Sequence, residues 1–369
     1  METPSAPQRQ QSQPIAACFT VYENYFPVAA ALAIDLVRDD PDIEAHIFLE
    51  RGEAPAWAAD LPERVIVHQH ALLSRLPKEL PPIGAWPMIV YARLYLADAL
   101  PQHERILYLD ADIARIGSLK PLATLDFGGH SLAAVQDGGL IVERAPGFKI
   151  SNDEWLQNIG LKRRRYFNTG MMLMNAPHWR GRDLMKHLHV FFDRYGAHTR
   201  MQDQDFLNYF FQDEWAELSP SWNFQLSLCG HGLERTFPPA IVHFTEFAKP
   251  WDWRSFSWDA APQDYYRRLM VRAGLSADQL PQRAFKTRPL DKLKHDLWRV
   301  AYDAGVRGGK ISRRKRQWDD AHARLTAYYQ QCLADGAFVD RPSASMPAAP
   351  PDPAFNGKVF RCPVEIAYP

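Results

Sequence analysis

The chain predicts an α/β protein with a mostly parallel sheet flanked by helices, and three observations carry that expectation. Short apolar or β-branched runs alternate with stretches of helical spacing from residue 15 to about residue 244. Apolar residues make up 46% of the 369, enough for a sizeable core. Two aspartates, Asp110 and Asp112, follow directly on an apolar run, where sheets of this class place their ligands.

The elements follow in order. Residues 1–14 (METPSAPQRQQSQP) read as a disordered polar tail without the apolar core of a secretory signal. IAACFTV (15–21) is a buried strand, and Pro27 opens an amphipathic helix, PVAAALAIDLVRD. EAHIFLE (44–50) and RVIVHQ (64–69) are strands; MIVYARLYLADAL (88–100) has helical spacing and stops at Pro101. RILYL (105–109), SLAAVQ (131–136), GMMLMN (170–175) and AIVHF (240–244) are further strands, and QDFLNYFFQD (204–213) is a helix with an aromatic face. Beyond residue 260, DYYRRLMVRAG, LDKLKHDLWRVAYDAG and WDDAHARLTAYYQQCLADG read as helices. The basic stretch VRGGKISRRKRQ separates the last two. The expected organisation is a tail (1–14), one domain (15–260), a helical extension (261–334) and a Pro/Ala-rich tail (335–369) with a candidate strand at KVFRC.

Composition narrows the function. Lys plus Arg equals Asp plus Glu, 43 each, so charge gives no argument for nucleic-acid binding. Cys18, Cys229, Cys332 and Cys362 lie far apart, with neither a zinc-type nor a redox-type spacing. No apolar run is long enough to span a membrane. A soluble, cytoplasmic protein is the expectation.

Several residues are candidates for chemistry, each beside a plainer alternative. Asp110 and Asp112, two apart, face one side of an extended segment and can share a hard cation such as Mg²⁺ or Mn²⁺; a solvated turn also accounts for them. His243 is either a core histidine or a third ligand. Lys249 is either solvated or paired with a phosphate. Asp203, Gln204 and Asp205 stand at a helix start, where acids favour the macrodipole, or the first two project into a cleft. Asn168 precedes a strand in which Gly170 permits close backbone approach. Arg93 is either a snorkelling side chain or a phosphate ligand. The basic run with Lys310, Arg313, Arg314, Lys315 and Arg316 is either a solvated face or a contact for an anionic membrane or glycan.

Singly these signals are weak; their order along the chain is specific. The segments YENYFPVAAALAIDLV, YARLYLADALPQHERILYLDADIARIGSLKPL, YFNTGMMLMN, QDQDFLN, LSPSWNFQ and HFTEFAKPW together resemble family 8 of the retaining glycosyltransferases. That group includes bacterial lipopolysaccharide galactosyl- and glucosyltransferases and is related to glycogenin. The resemblance covers roughly residues 15–260 and implies a GT-A domain. It makes Asp110, Asp112 and His243 metal ligands, with Mn²⁺ (or Mg²⁺) bridging the phosphates of UDP-glucose or UDP-galactose. It places Tyr22, Asn24 and Tyr25 at the uridine part, Arg93, Ala111 and Lys249 by the donor, and Asn168, Asp203 and Gln204 on the transferred sugar. Gln204 and Asp203 are its catalytic candidates. Because an amide is a poor nucleophile, same-face attack within a short-lived ion pair is the expected course, with Asp203 in reserve for a covalent one. The acceptor would be a glycan or glycolipid held partly by residues 136–166 and the C-terminal helices. Two positions depart from the family pattern: Tyr22 stands where an acid is common, and Glu246 where glycine is. Glu246 is expected to pair with Lys249 or to accept from a sugar hydroxyl.

Two other readings use the same residues. One is a haloacid-dehalogenase-like phosphatase, against which stand Ala114, where Thr or Val is wanted, and the late position of the aspartates in the chain. The other is a non-catalytic nucleotide-sugar or glycan-binding protein on the same fold.

Overall fold

The computed structural model describes residues 14–76, 87–143, 150–245, 249–251, 260–281, 297 and 309–342. Ten strands lie within them: β1 (Ile15–Val21), β2 (Ile43–Leu49), β3 (Val65–Gln69), β4 (Arg105–Leu109), β5 (Ile113–Arg115), β6 (Leu132–Gln136), β7 (Phe167–Asn175), β8 (Trp215–Leu218), β9 (Phe224–Gln225) and β10 (Ile241–His243). Seven form one sheet in the order β3-β2-β1-β4-β7-β6-β8. All its pairs are parallel except those of β7, which runs against both β4 and β6. The expected mostly parallel sheet is therefore present, and its continuous apolar runs suit strands covered on both faces.

The reversal of β7 matters for function. An antiparallel strand brings its beginning to the end where its neighbours finish. Leu109 pairs with Met171, and the Asp110 amide donates to the Gly170 carbonyl at 2.8 Å. Asn168, Thr169 and Gly170 thus lie beside Asp110, at the carboxyl ends of β1, β4 and β6. A second sheet, β5-β10-β9, does the same for residues far along the chain. His243 pairs with Ile113 on one side and Gln225 on the other, and the Phe244 amide donates to the Asp112 carbonyl at 3.0 Å.

Helix α1 (Phe26–Asp39) has Pro27 in its first turn, as the sequence leads one to expect. Its small buried residues Ala29, Ala30, Ala31 and Ala33 let it lie close on the sheet. Helix α2 (Asp203–Phe210) is entered through Gln202 at φ 49°, a positive value uncommon for a residue with a side chain. That turn directs Asp203 and Gln204 inward, and both are buried. Helices α3 (Ala260–Arg272) and α4 (Gly309–Asp335) pack on the same core as the sheet through Tyr265, Tyr266, Leu269, Leu325 and Tyr329.

Three expectations need correction. Met88–Tyr95 winds as a 3₁₀ segment, and only Leu96–Ala99 is α-helical. Four consecutive residues, Tyr91 to Leu94, are buried there, so contacts on every side govern the path instead of one apolar face. The basic stretch is not wholly a break between helices: α4 begins at Gly309 and carries through it, in keeping with the helix-forming tendency of Lys and Arg. Strands β5, β8 and β9 went unrecognised because two to four residues leave no readable periodicity. The helix expected near 290–305 lies outside the described residues apart from Leu297, and KVFRC lies wholly outside them. Cys18, Cys229 and Cys332 are buried. No helix among the described residues is long and apolar enough to cross a membrane.

Candidate functional site

At the end of β4 the chain turns through Asp110, Ala111 and Asp112, and protein donors take one oxygen of each carboxylate. Tyr108 Oη donates to Asp110 Oδ1 at 2.6 Å, and Arg93 Nη2 reaches the same oxygen at 3.4 Å. Lys249 Nζ donates to Asp112 Oδ2 at 2.5 Å and to the Phe244 carbonyl at 2.9 Å. The remaining oxygens, Asp110 Oδ2 and Asp112 Oδ1, lie 3.7 and 3.4 Å from His243 Nε2. These three ligand-type atoms sit within 4.8 Å of one another. Among the described residues, no hydrogen-bond donor reaches the buried Asp112 Oδ1. Burial alone would push the Asp112 carboxyl up, but Lys249 and His243 outweigh it and hold it below the usual carboxylate range.

A chain of side chains fixes which histidine nitrogen faces the carboxylates. His243 Nδ1 lies 3.0 Å from Asn223 Oδ1, and Asn223 Nδ2 donates to Asn168 Oδ1 at 2.9 Å. Asn168 Oδ1 also accepts from the Gly170 amide at 3.0 Å, and Asn168 Nδ2 donates to Asp137 Oδ2 at 3.1 Å. Asp137 can only accept, so each amide in turn has one orientation, and Asn223 must accept from the Nδ1–H of His243. Nε2 is thereby left toward Asp110 and Asp112, the arrangement in which imidazole serves as a ligand. Gly170 provides the space: a Cβ there would lie 2.1 Å from His243 Cε1 and 2.8 Å from Asp110 Oδ2. Two carboxylate oxygens, one of them buried without a donor, and an oriented imidazole fit a hard divalent cation.

Other predicted site residues surround this centre. Arg93 is buried, stacks over the Tyr108 ring at 4.3 Å, donates to the Thr169 carbonyl at 2.9 Å and lies 3.3 Å from Asp203 Oδ2. The snorkelling alternative is thus set aside. Gln204 Oε1 accepts from the Thr169 amide at 3.0 Å, and Gln204 Nε2 donates to Asp137 Oδ2 at 3.2 Å. Asp205 instead organises the loop before α2, accepting from Tyr166 Oη, from the Arg200 amide at 2.6 Å and from the Met201 amide at 3.0 Å. Tyr22, Asn24 and Tyr25 occupy the turn after β1, at the same end of the sheet; Asn24 is exposed. Tyr25 meets Trp251 edge-to-face at 5.7 Å, two residues beyond Lys249. Glu246 lies outside the described residues, as does 144–149 of the expected acceptor segment.

Sequence reasoning did not single out Asp137, Asn223, Thr169 or Tyr108. Asp137 directly follows a buried strand, the positional cue that exposed Asp110. Asn223 has no such cue, since its role depends on two partners 20 and 55 residues away.

The model of the family described as glycosyl transferase family 8 matches residues 19–254. The chain belongs to that family. Among curated relatives, glycosyltransferase GlyF of Streptococcus pneumoniae is 28% identical over 226 residues, or 58% of this chain and 52% of that protein. Lipopolysaccharide 1,3-galactosyltransferase of Salmonella typhimurium is 30% identical over 197 residues, 51% of this chain and 56% of that one. The chain spans about half the length of these two relatives. Among solved structures, galactosyltransferase LgtC, in complex with donor and acceptor sugar analogues, is 25% identical with a TM-score of 0.53; the match covers 70% of this chain and 95% of that one. The fold is accordingly of the GT-A type. Membership of family 8 sets aside the dehalogenase-like phosphatase.

Proposed function

We propose that this chain is a retaining hexosyltransferase that moves glucose or galactose from a UDP-sugar to a glycan or lipopolysaccharide-type acceptor, with Mn²⁺ or Mg²⁺ as cofactor. The observation that carries the reading is the convergence of Asp110 Oδ2, Asp112 Oδ1 and an oriented His243 Nε2, in a chain of this family. Asp110, Asp112 and His243 would hold the ion, which when bound supplies Lewis-acid stabilisation of a departing diphosphate. Lys249 and Arg93 bring positive charge to the same centre, each already held in place by an aspartate and a backbone carbonyl. The turn with Tyr22, Asn24 and Tyr25 lies where the uridine part would rest, with Ala111 between the two acids.

Residues for the sugar lie on the other side of the centre. Asn168, Asp137 and Gln204 form one hydrogen-bonded group. The Gln204 carbonyl oxygen already accepts from Thr169 and is neutral, so it is a poor nucleophile. Asp203 is buried and engaged by Arg93, and burial, against Arg93 and with Asp110, raises its pKa to about 7. A group so held is badly placed to attack an anomeric carbon. Same-face attack within an ion pair is the course these side chains favour, and they would act by positioning the sugar and excluding water.

The deciding experiment is a panel of nucleotide sugars incubated with Mn²⁺ and with chelator. Release of UDP from UDP-glucose or UDP-galactose, abolished by chelator and by Asp110→Asn, is expected. Binding of UDP without turnover of any donor would instead support a non-catalytic binding protein. The reading extends to peripheral contact of the basic stretch 306–316 with the inner face of a membrane. Salt-sensitive flotation with anionic vesicles, lost when Lys310, Arg313, Arg314, Lys315 and Arg316 are all replaced by Gln in the full chain, tests that part.

A further inference from the structure

A second cluster of ligand-type side chains lies toward the amino ends of β1, β2 and β4, away from the end that carries Asp110. Glu44 and His46 are two apart on β2 and face the same side. His103 stands in the turn that leads into β4. Strand β1 runs between them, and Ala16 is in register with both Glu44 and Ile106. A residue that small lets side chains from the two flanking strands meet over it.

The geometry is specific. Glu44 Oε2 lies 3.1 Å from His103 Nε2 and 3.8 Å from His46 Nε2. All three atoms fall within 4.8 Å of one another. The His46 and His103 rings cross edge-to-face at 5.1 Å and are only 1% and 2% exposed. Both Nε2 atoms are buried without a hydrogen-bond partner among the described residues. Their other nitrogens are held: His103 Nδ1 is 3.2 Å from the Pro14 carbonyl, and His46 Nδ1 is 3.0 Å from His68 Nε2. A carbonyl only accepts, so His103 donates from Nδ1, and its Nε2 faces the Glu44 carboxylate. Two buried, unpartnered ring nitrogens and a carboxylate thus converge on one point, a donor set that a cation would complete.

We propose that Glu44, His46 and His103 form a zinc site, separate from the donor site and structural in purpose. Two imidazoles and one carboxylate favour Zn²⁺ over Mg²⁺ or Mn²⁺. With zinc–ligand distances of about 2.0–2.2 Å, neighbouring ligands of a tetrahedral site stand about 3.4 Å apart, and the two distances from Glu44 bracket that value. The hydrogen bonds to Pro14 and His68 are the outer contacts that orient metal-bound histidines. An ion here would tie β2 and the turn before β4 together across β1.

The test uses the full chain carrying Asp110→Asn and Asp112→Asn, which silences the other cluster. Incubated with Zn²⁺ alone and desalted, it is expected to retain one equivalent of zinc and to melt at a higher temperature than the metal-free form. Co²⁺ in place of zinc should give the intense visible bands of a low-coordinate site. Adding His103→Gln or, at the partly exposed rim, Glu44→Gln should weaken zinc binding at least about tenfold, with the circular dichroism unchanged. If the histidine variant misfolds, Glu44→Gln decides. Zinc retention unaffected by the variants, or no retention at all, overturns the proposal. So does nitrogen NMR showing His103 protonated at both nitrogens and unmoved by zinc, since a proton would then fill the place of the ion. None of these readouts depends on glycosyl transfer, so the outcome is independent of the proposed activity.

Discussion

Gly170→Ala gives the sharpest test of the cluster formed by Asp110, Asp112 and His243, because one methyl group separates space from chemistry. Gly170 is not at a positive φ, so alanine brings no backbone strain, and the effect is purely one of volume. The new Cβ would lie 2.1 Å from His243 Cε1, where ordinary contact begins at 3.4 Å. The ring must therefore retreat by roughly 1.3 Å, far beyond the about 0.2 Å tolerated in a metal–ligand distance. His243 is 4% exposed and held at Nδ1 by Asn223, so retreat also breaks that hydrogen bond. Overpacking and the lost bond together cost roughly 2–4 kcal/mol of stability. Mn²⁺ binding, followed through the electron paramagnetic resonance of the free ion, should weaken by at least about 10–100-fold. Gly181→Ala is the control: Gly181 has φ +74° and nothing within 4 Å of a Cβ, so alanine there adds strain without touching the cluster. It should lower stability and leave Mn²⁺ binding alone. If Gly170→Ala binds Mn²⁺ as the unaltered protein does, His243 is not a ligand and the reasoning fails.

Three further outcomes are expected. Asn223→Ala should weaken Mn²⁺ about tenfold by freeing the His243 ring; calorimetry with unchanged affinity would mean the amide chain does not set the imidazole. Asp203→Asn should flatten the pH dependence of stability in chelator. With a folded pKa of about 7 against an ordinary 3.8, driven by burial, the folded state holds the proton more tightly. Stability therefore falls as pH rises from about 4 to about 7, by at most about 4 kcal/mol. Denaturant titrations at pH 4.5 and 8 that keep the full slope in the variant would count against this; Asp205, raised to about 6, retains its own share. Gln204→Ala should slow transfer at least about tenfold while product keeps the anomeric configuration of the donor, read by NMR; an inverted product would contradict the retaining course.

The sequence by itself determined what local pattern can determine. Continuous apolar runs gave β1, β4 and β7, and Pro27 gave the start of α1. The position of Asp110 and Asp112 after RILYL marked the carboxyl edge of the sheet as the site. Family motifs tied His243, Lys249, Arg93, Asn168 and Gln204 to that edge, although none of them was distinctive alone. Only the tertiary structure decided how they meet. The reversed β7 carries Asn168 and Gly170 to Asp110, and a three-stranded sheet brings His243 to Asp112. The amide chain from Asp137 through Asn168 and Asn223 then selects the nitrogen that His243 presents. The same holds for Glu44 and His46 on β2 and His103 in the turn before β4, which meet across β1. Their chemistry rests on which ring nitrogens converge and which are already bonded. Hydrogen-bond partners 20 to 60 residues apart leave no periodic trace in a chain, because periodicity records the face a residue shows and not the atom it meets.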